Sequence, residues 1–136
     1  MKNAILTITT KQAGMDEDLT FTMRTQCVET AEGTKINYEE ALSEEDTVNT
    51  QLVIADDSIM VERQGEVGGD MFFKKTTTYE TKYYAMGGLA LDMRIFTTSL
   101  QIDKNNEGIE ASVDYQLFLA GSNVGKMGMD IKVEYI

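Results

Sequence analysis

The 136-residue chain has no histidine, no proline and one cysteine, and it sets 12 basic residues against 23 acidic ones. Each shortage removes something. Without histidine there is no side chain of the kind that most often serves as general base, nucleophile activator or transition-metal ligand near neutral pH. A hydrolase built on a serine–histidine–acid triad is therefore excluded. The lone Cys27 cannot form an intramolecular disulfide; beside Phe21 and Met23 in an alternating segment, it reads as a small buried thiol. The opening MKNAILTITTKQ turns polar after a few residues and offers no signal-peptide apolar region. Together with the missing disulfide this makes a reducing cytoplasm the expected compartment. No apolar run approaches the roughly 20 residues that carry a helix across a bilayer. The absence of proline leaves every residue able to donate to a strand ladder.

The excess of acid gives a net charge of −11. Such a field repels nucleic acid and anionic membranes, so neither is an expected partner. An apolar content of 42% fits a globular protein, and the length fits one domain over residues 1–136 with a core of its own.

What is present is alternation. Leu19, Phe21, Met23, Thr25 and Cys27 share one side of a segment whose other side is Thr20, Thr22, Arg24 and Gln26. Ile109, Ala111, Val113, Tyr115, Leu117 and Leu119 alternate with Glu110, Ser112, Asp114 and Gln116, and Met127 to Tyr135 repeats the pattern. A period of two marks half-buried strands. The best helical candidate, Tyr38 to Asp46, has only two apolar anchors and reads as a strand end running into an acidic loop. Between Leu89 and Ile102 the parity breaks: Leu89, Leu91, Met93 and Ile95 share a face, but Leu100 and Ile102 fall on the other. A bulge near Thr97-Thr98-Ser99 would restore one buried face and bend the strand.

Turn chemistry divides the strands at Ala31-Glu32-Gly33, Asp56-Asp57, Gly68-Gly69, Gly87-Gly88, Lys104 to Gly108 and Gly121-Ser122-Asn123. The count is about nine or ten strands, which favours an all-β, antiparallel meander-type barrel or sandwich, the single up-and-down barrel being the preferred reading.

Three segments imitate known motifs without completing them. Gly121 to Met127 is one residue short of a phosphate loop, lacks the hydroxyl that holds magnesium and opens a strand rather than a helix. Gly65 to Gly69 has no following lysine and reads as a turn. Asp103 to Gly108 imitates half of a calcium loop, but its flanks are strands and its residues are those a hairpin turn requires. The clusters Asp16-Glu17-Asp18 and Glu44-Glu45-Asp46 read as solvated loop charge. No catalytic residue, metal site or cofactor is expected.

One pair stands apart. Glu40 continues the apolar face of Ile36 and Tyr38, and Arg63 continues that of Ile59 and Val61. Inward charges must find a partner or water, because an unpaired one costs several kcal/mol. Either both strands have reached the wet rim of the barrel, or Glu40 and Arg63 pair as a polar handle inside a cavity. Phe72, Phe73, Tyr79, Tyr83 and Tyr84 lie in the same third of the chain and could wall such a cavity, although core packing accounts better for most of them. The candidate ligand-binding residues are Tyr38, Glu40, Arg63, Phe73, Tyr79 and Tyr83.

Taken together, Tyr38-Glu39-Glu40, Val61-Glu62-Arg63-Gln64-Gly65, Tyr79-Glu80-Thr81, Val113 to Leu117 and Met129 to Val133 resemble the YwiB-like family of bacterial proteins. Gly87-Gly88 sits a few residues later than the Tyr-Thr-x-Tyr-Gly arrangement of that family. The resemblance implies a calycin-type, lipocalin-like barrel and carries no activity with it. Three functions are then open: a binding module for a small apolar or amphipathic molecule, an interaction scaffold using strand edges or the acidic face, and an enzyme with Glu40 as acid or base and Arg63 holding an anionic group. The partners expected are a small-molecule ligand and, for the assembly, a second copy in a homodimer.

Overall fold

The computed structural model describes residues 1–14, 16–41, 47–64, 68–85 and 88–136. Alternation becomes strand throughout. In chain order these are β1 (Lys2–Gln12), β2 (Leu19–Thr30), β3 (Gly33–Ala41), β4 (Thr47–Ile54), β5 (Ser58–Gln64), β6 (Met71–Lys74), β7 (Thr78–Tyr84), β8 (Ala90–Asn105), β9 (Gly108–Leu119) and β10 (Ser122–Tyr135).

All ten strands belong to one antiparallel sheet in the order β6-β5-β4-β3-β2-β1-β10-β9-β8-β7. Each strand lies beside its neighbour in sequence, and the two chain ends meet where β1 pairs with β10 from Ala4↔Tyr135 to Gln12↔Met127. The sheet curls until β6 and β7 face each other, giving a nearly closed up-and-down barrel. Among the described residues that seam carries no regular ladder. It is bridged by reciprocal backbone bonds between Gly68 and Tyr84 (2.8 and 2.9 Å). Phe72 and Tyr79 pack across it with ring centroids 5.8 Å apart.

Turns form where their chemistry placed them. Asn105 Oδ1 accepts from the amides of Glu107 (2.8 Å) and Gly108 (3.1 Å), which folds the β8–β9 hairpin and spends the side chain most suited to a cation there. A Cβ on Gly108 would overlap the Val133 carbonyl oxygen, so only glycine fits where that hairpin crosses β10. The predicted bulge in β8 is present, with the register shifting between Thr97 and Ser99 opposite β9. A second irregularity lies between Asn123 and Gly125 of β10. The acidic run at 44–46, Gly65 and Gly87 fall outside the described residues.

The inward positions make one core. Leu6, Ile36, Leu52, Ile54, Ile59, Phe73, Ile95, Ile109, Val113, Ile131 and Val133 are wholly or almost wholly buried. Most of them crowd toward one end, which Lys104 helps to close by reaching across the barrel to Ile54 O at 2.7 Å. Toward the other end the inward side chains (Phe21, Met23, Met71, Tyr83, Leu117, Leu119, Met127) are only partly buried. One expectation needs correcting there. Leu19, assigned to the inner face, is 73% exposed, because β2 runs past the rim before it enters the core.

Candidate functional site

The barrel wall opens between β2 and β3. Their ladder holds only from Thr30↔Gly33 to Cys27↔Ile36. Beyond that point β2 continues pairing with β1 as far as Thr10↔Leu19, and β3 continues with β4 as far as Ala41↔Thr47, while the two strands part from each other. Bulky inward side chains stand on both parting edges. Phe21 on β2 meets Tyr38 on β3 with centroids 5.8 Å apart and rings tilted by 36°. Near the apex Thr25 Oγ1 donates to Asn37 O at 2.9 Å, so a side chain replaces the ladder bond that is lost. The resulting cleft has a volume of about 400 Å³ and is lined by Thr10, Leu19, Thr20, Phe21, Met23, Glu39 and Glu40.

Glu40 sits at the inner side of this cleft, and its carboxylate is fixed. Arg63 Nε donates to Oε1 at 2.7 Å and Nη2 to Oε2 at 3.3 Å, a two-pronged match of guanidinium to carboxylate. Thr50 Oγ1 adds a bond to Oε1 at 3.3 Å. The side chains of Arg63 and Glu40 are only 15% and 16% exposed, so the pair lies within the wall and not on a wet rim. Arg63 also gives Nη1 to Gly69 O at 2.8 Å, and its own amide donates to Asp70 Oδ1 at 3.0 Å. Gly69 permits this because its backbone lies directly on β7. A Cβ there would come within 2.6 Å of the Lys82 carbonyl oxygen. The arginine thereby ties β3, β5 and the start of β6 together beside the seam.

Electrostatics follow from this packing. Burial raises the Tyr38 phenol well above its ordinary range, the Glu40 charge adds to the rise, and Arg63 opposes it. Burial likewise pushes Tyr115 up to about 12, again with Arg63 opposing. For Arg63 burial disfavours the charge, but the hydrogen bond and charge of Glu40 outweigh it and hold the pKa above its usual value. Deeper in, Thr97 Oγ1 is buried with no hydrogen-bond partner among the described residues.

Of the six residues picked out from the sequence, Tyr38, Glu40 and Arg63 come together in this way. Phe73 is wholly buried and packs on Tyr115 with centroids 4.8 Å apart, next to the arginine but inside the core. Tyr79 lies at the β6–β7 seam against Phe72. Tyr83 is partly buried, with its Cα 3.3 Å from where a Gly69 Cβ would stand. Phe21 and Met23 show in the sequence only as inward strand positions, and their part in the cleft depends on the parting of β2 from β3; Thr50, which braces Glu40 from β4, carries no sequence signal. Among the described residues no group of three or more Cys, Asp or Glu is placed to hold a metal ion, and no helix is long and apolar enough to cross a membrane.

These features define a nearly closed antiparallel β-barrel with one breached wall and a buried ion pair at the breach. The chain belongs to the DUF1934 family: the family model, described as a domain of unknown function, matches residues 4–131. Its structure is similar to the crystal structure of the YwiB protein from Bacillus subtilis, with a TM-score of 0.82 at 20% sequence identity, over 99% of this chain and 92% of that one. At that identity the likeness concerns the fold. No curated protein matches the chain.

Proposed function

We propose that the protein is a binding module that takes one small apolar or amphipathic molecule into the cleft between β2 and β3, with the polar end of the ligand against Glu40. The observation that carries this reading is a carboxylate immobilised by an arginine at the inner side of an apolar-walled opening. Its volume of about 400 Å³ falls in the range of roughly 300–1,000 Å³ common for small-molecule sites. Leu19, 73% exposed at the mouth, offers apolar surface whose full burial is worth about 1.5–3 kcal/mol. Met23 supplies a deformable wall suited to ligands of varied shape. The cytoplasm suits a lone unpaired thiol.

An enzyme that uses Arg63 to hold an anionic substrate is harder to build on this geometry. Three of the arginine's donors already serve Glu40 and Gly69, and Arg63 is absent from the cleft lining. A scaffold that adds a strand to the parted edges of β2 and β3 is the second reading, favoured by the backbone those edges leave unladdered.

Thermal denaturation across a library of fatty acids, alkylamines, alcohols and flat aromatics tests the proposal. A ligand at about 100 times its Kd stabilises the fold by about 2.7 kcal/mol, which for a chain of this length is a Tm rise of about 10 °C. The rise should shrink when Met23 is replaced by the neutral, polar Gln. A library that moves Tm nowhere would refute the binding reading.

A further inference from the structure

We infer that the cleft selects an amphiphile with a cationic, hydrogen-bond-donating head (a primary amine or guanidine on an apolar tail) and discriminates against carboxylates and phosphates. The inference rests on the binding reading above and deepens it. An ion pair at the base of a site can present either of its charges, and here the orientation is fixed. Arg63 turns Nε and Nη2 onto Glu40 and Nη1 onto the Gly69 carbonyl, away from the cleft. The carboxylate is the member that lines the opening. Oε1 accepts from both Arg63 and Thr50, whereas Oε2 has one long bond of 3.3 Å and keeps acceptor capacity to spare.

The surroundings reinforce the sign. Glu39 lines the same cleft, and Asp16, Glu17 and Asp18 stand exposed in the turn that delivers β2 to it. Lys11, the nearest cation along β1, is held by Asp130 at 2.9 Å. The whole chain adds a field of net charge −11. An anionic head would face the acceptor oxygens of Glu40, whose counter-charge lies behind it on Arg63, and the exposed Glu39 at the mouth, so like charges repel it. A protonated amine would complete the coordination of Oε2 while its tail covers Leu19, Phe21 and Met23.

Isothermal titration of the full chain with octylamine, octanol and octanoate separates head from tail. The expected order is octylamine, then octanol, then octanoate, with about tenfold or more between the first and last, the scale of one charge-assisted hydrogen bond. This comparison uses the wild-type chain and does not depend on any variant folding. Glu40→Gln, checked for native circular dichroism, should weaken octylamine by about tenfold and bring octanoate level with it or ahead, because the Arg63 charge is then unmatched. Equal binding of all three, or tighter binding of octanoate, overturns the head-group assignment and leaves the binding reading standing. No binding of any of the three, with the chain dimeric in light scattering, overturns both and makes a second copy the occupant.

Discussion

Removing Arg63 alone should cost far more than removing it together with Glu40. In Arg63→Met the Glu40 carboxylate stays 16% exposed in the wall, keeping only the Thr50 hydroxyl at 3.3 Å. Breaking a buried pair in this way costs about 3–5 kcal/mol, since a charge is left without its counter-ion. The residual exposure lets some water in, so the lower end, about 3 kcal/mol, is expected. Total stabilities of such chains are about 5–15 kcal/mol, so the single variant loses a large fraction. Pairing Arg63→Met with Glu40→Leu removes both charges and fills the space with apolar atoms, an exchange that is neutral or stabilising where it has been made in other proteins. The double variant should therefore recover at least about 2 kcal/mol relative to the single one. Urea unfolding followed by circular dichroism measures both, provided the slope m is unchanged. If Arg63→Met costs less than about 1 kcal/mol, the range of exposed surface pairs, the ion pair is not the buried tie described here.

Tyr38 and Tyr115 fix the alkaline limit. Both phenols are raised by burial, Tyr115 to about 12, so above pH about 10 the unfolded chain releases protons that the folded chain keeps. Stability is unaffected below that pH and should fall as pH rises from about 10 to 12, by up to about 1.4 kcal/mol per pH unit per tyrosine; Tyr115→Phe should flatten the fall in urea titrations. Thr97→Val should stabilise the fold by about 1 kcal/mol, because it replaces a buried hydroxyl that lacks a partner by a methyl of the same shape; destabilisation by that amount would reveal an unseen partner. Ala120→Gly should raise Tm by a few degrees, since Ala120 (φ 52°) and Gly121 (φ 81°) form a two-residue turn between β9 and β10 with both residues left-handed.

How much of this the sequence discloses depends on the kind of interaction. In β9 the inner Ile109 to Tyr115 and the outer Glu110 to Asp114 contrast so strongly that strand and buried face can be read directly. The β8 bulge was legible for the same reason, as a break in parity between Ile95 and Leu100. Glu40 and Arg63 could be found because each continues an apolar face, and an inward charge demands a partner. Yet the alternation says only which way a side chain points, and whether they pair depends on Thr50↔Arg63 and Tyr38↔Thr50 register. The parting of β2 from β3 was illegible, because Phe21 and Met23 alternate as regularly as if the ladder continued. Gly69 reads as a turn residue in the sequence, while its structural duty is to let two backbones touch. Such long-range approaches leave no local pattern.

The central claim, a ligand cleft opening between β2 and β3 at Glu40, is tested most directly by amide chemical shifts of the isotope-labelled chain during titration with octylamine. The account predicts saturable shifts concentrated at Thr10, Leu19 to Met23 and Tyr38 to Glu40, with the β8–β9 hairpin around Asn105 unmoved. Shifts spread over the outer sheet face, or none at saturating ligand, would contradict it.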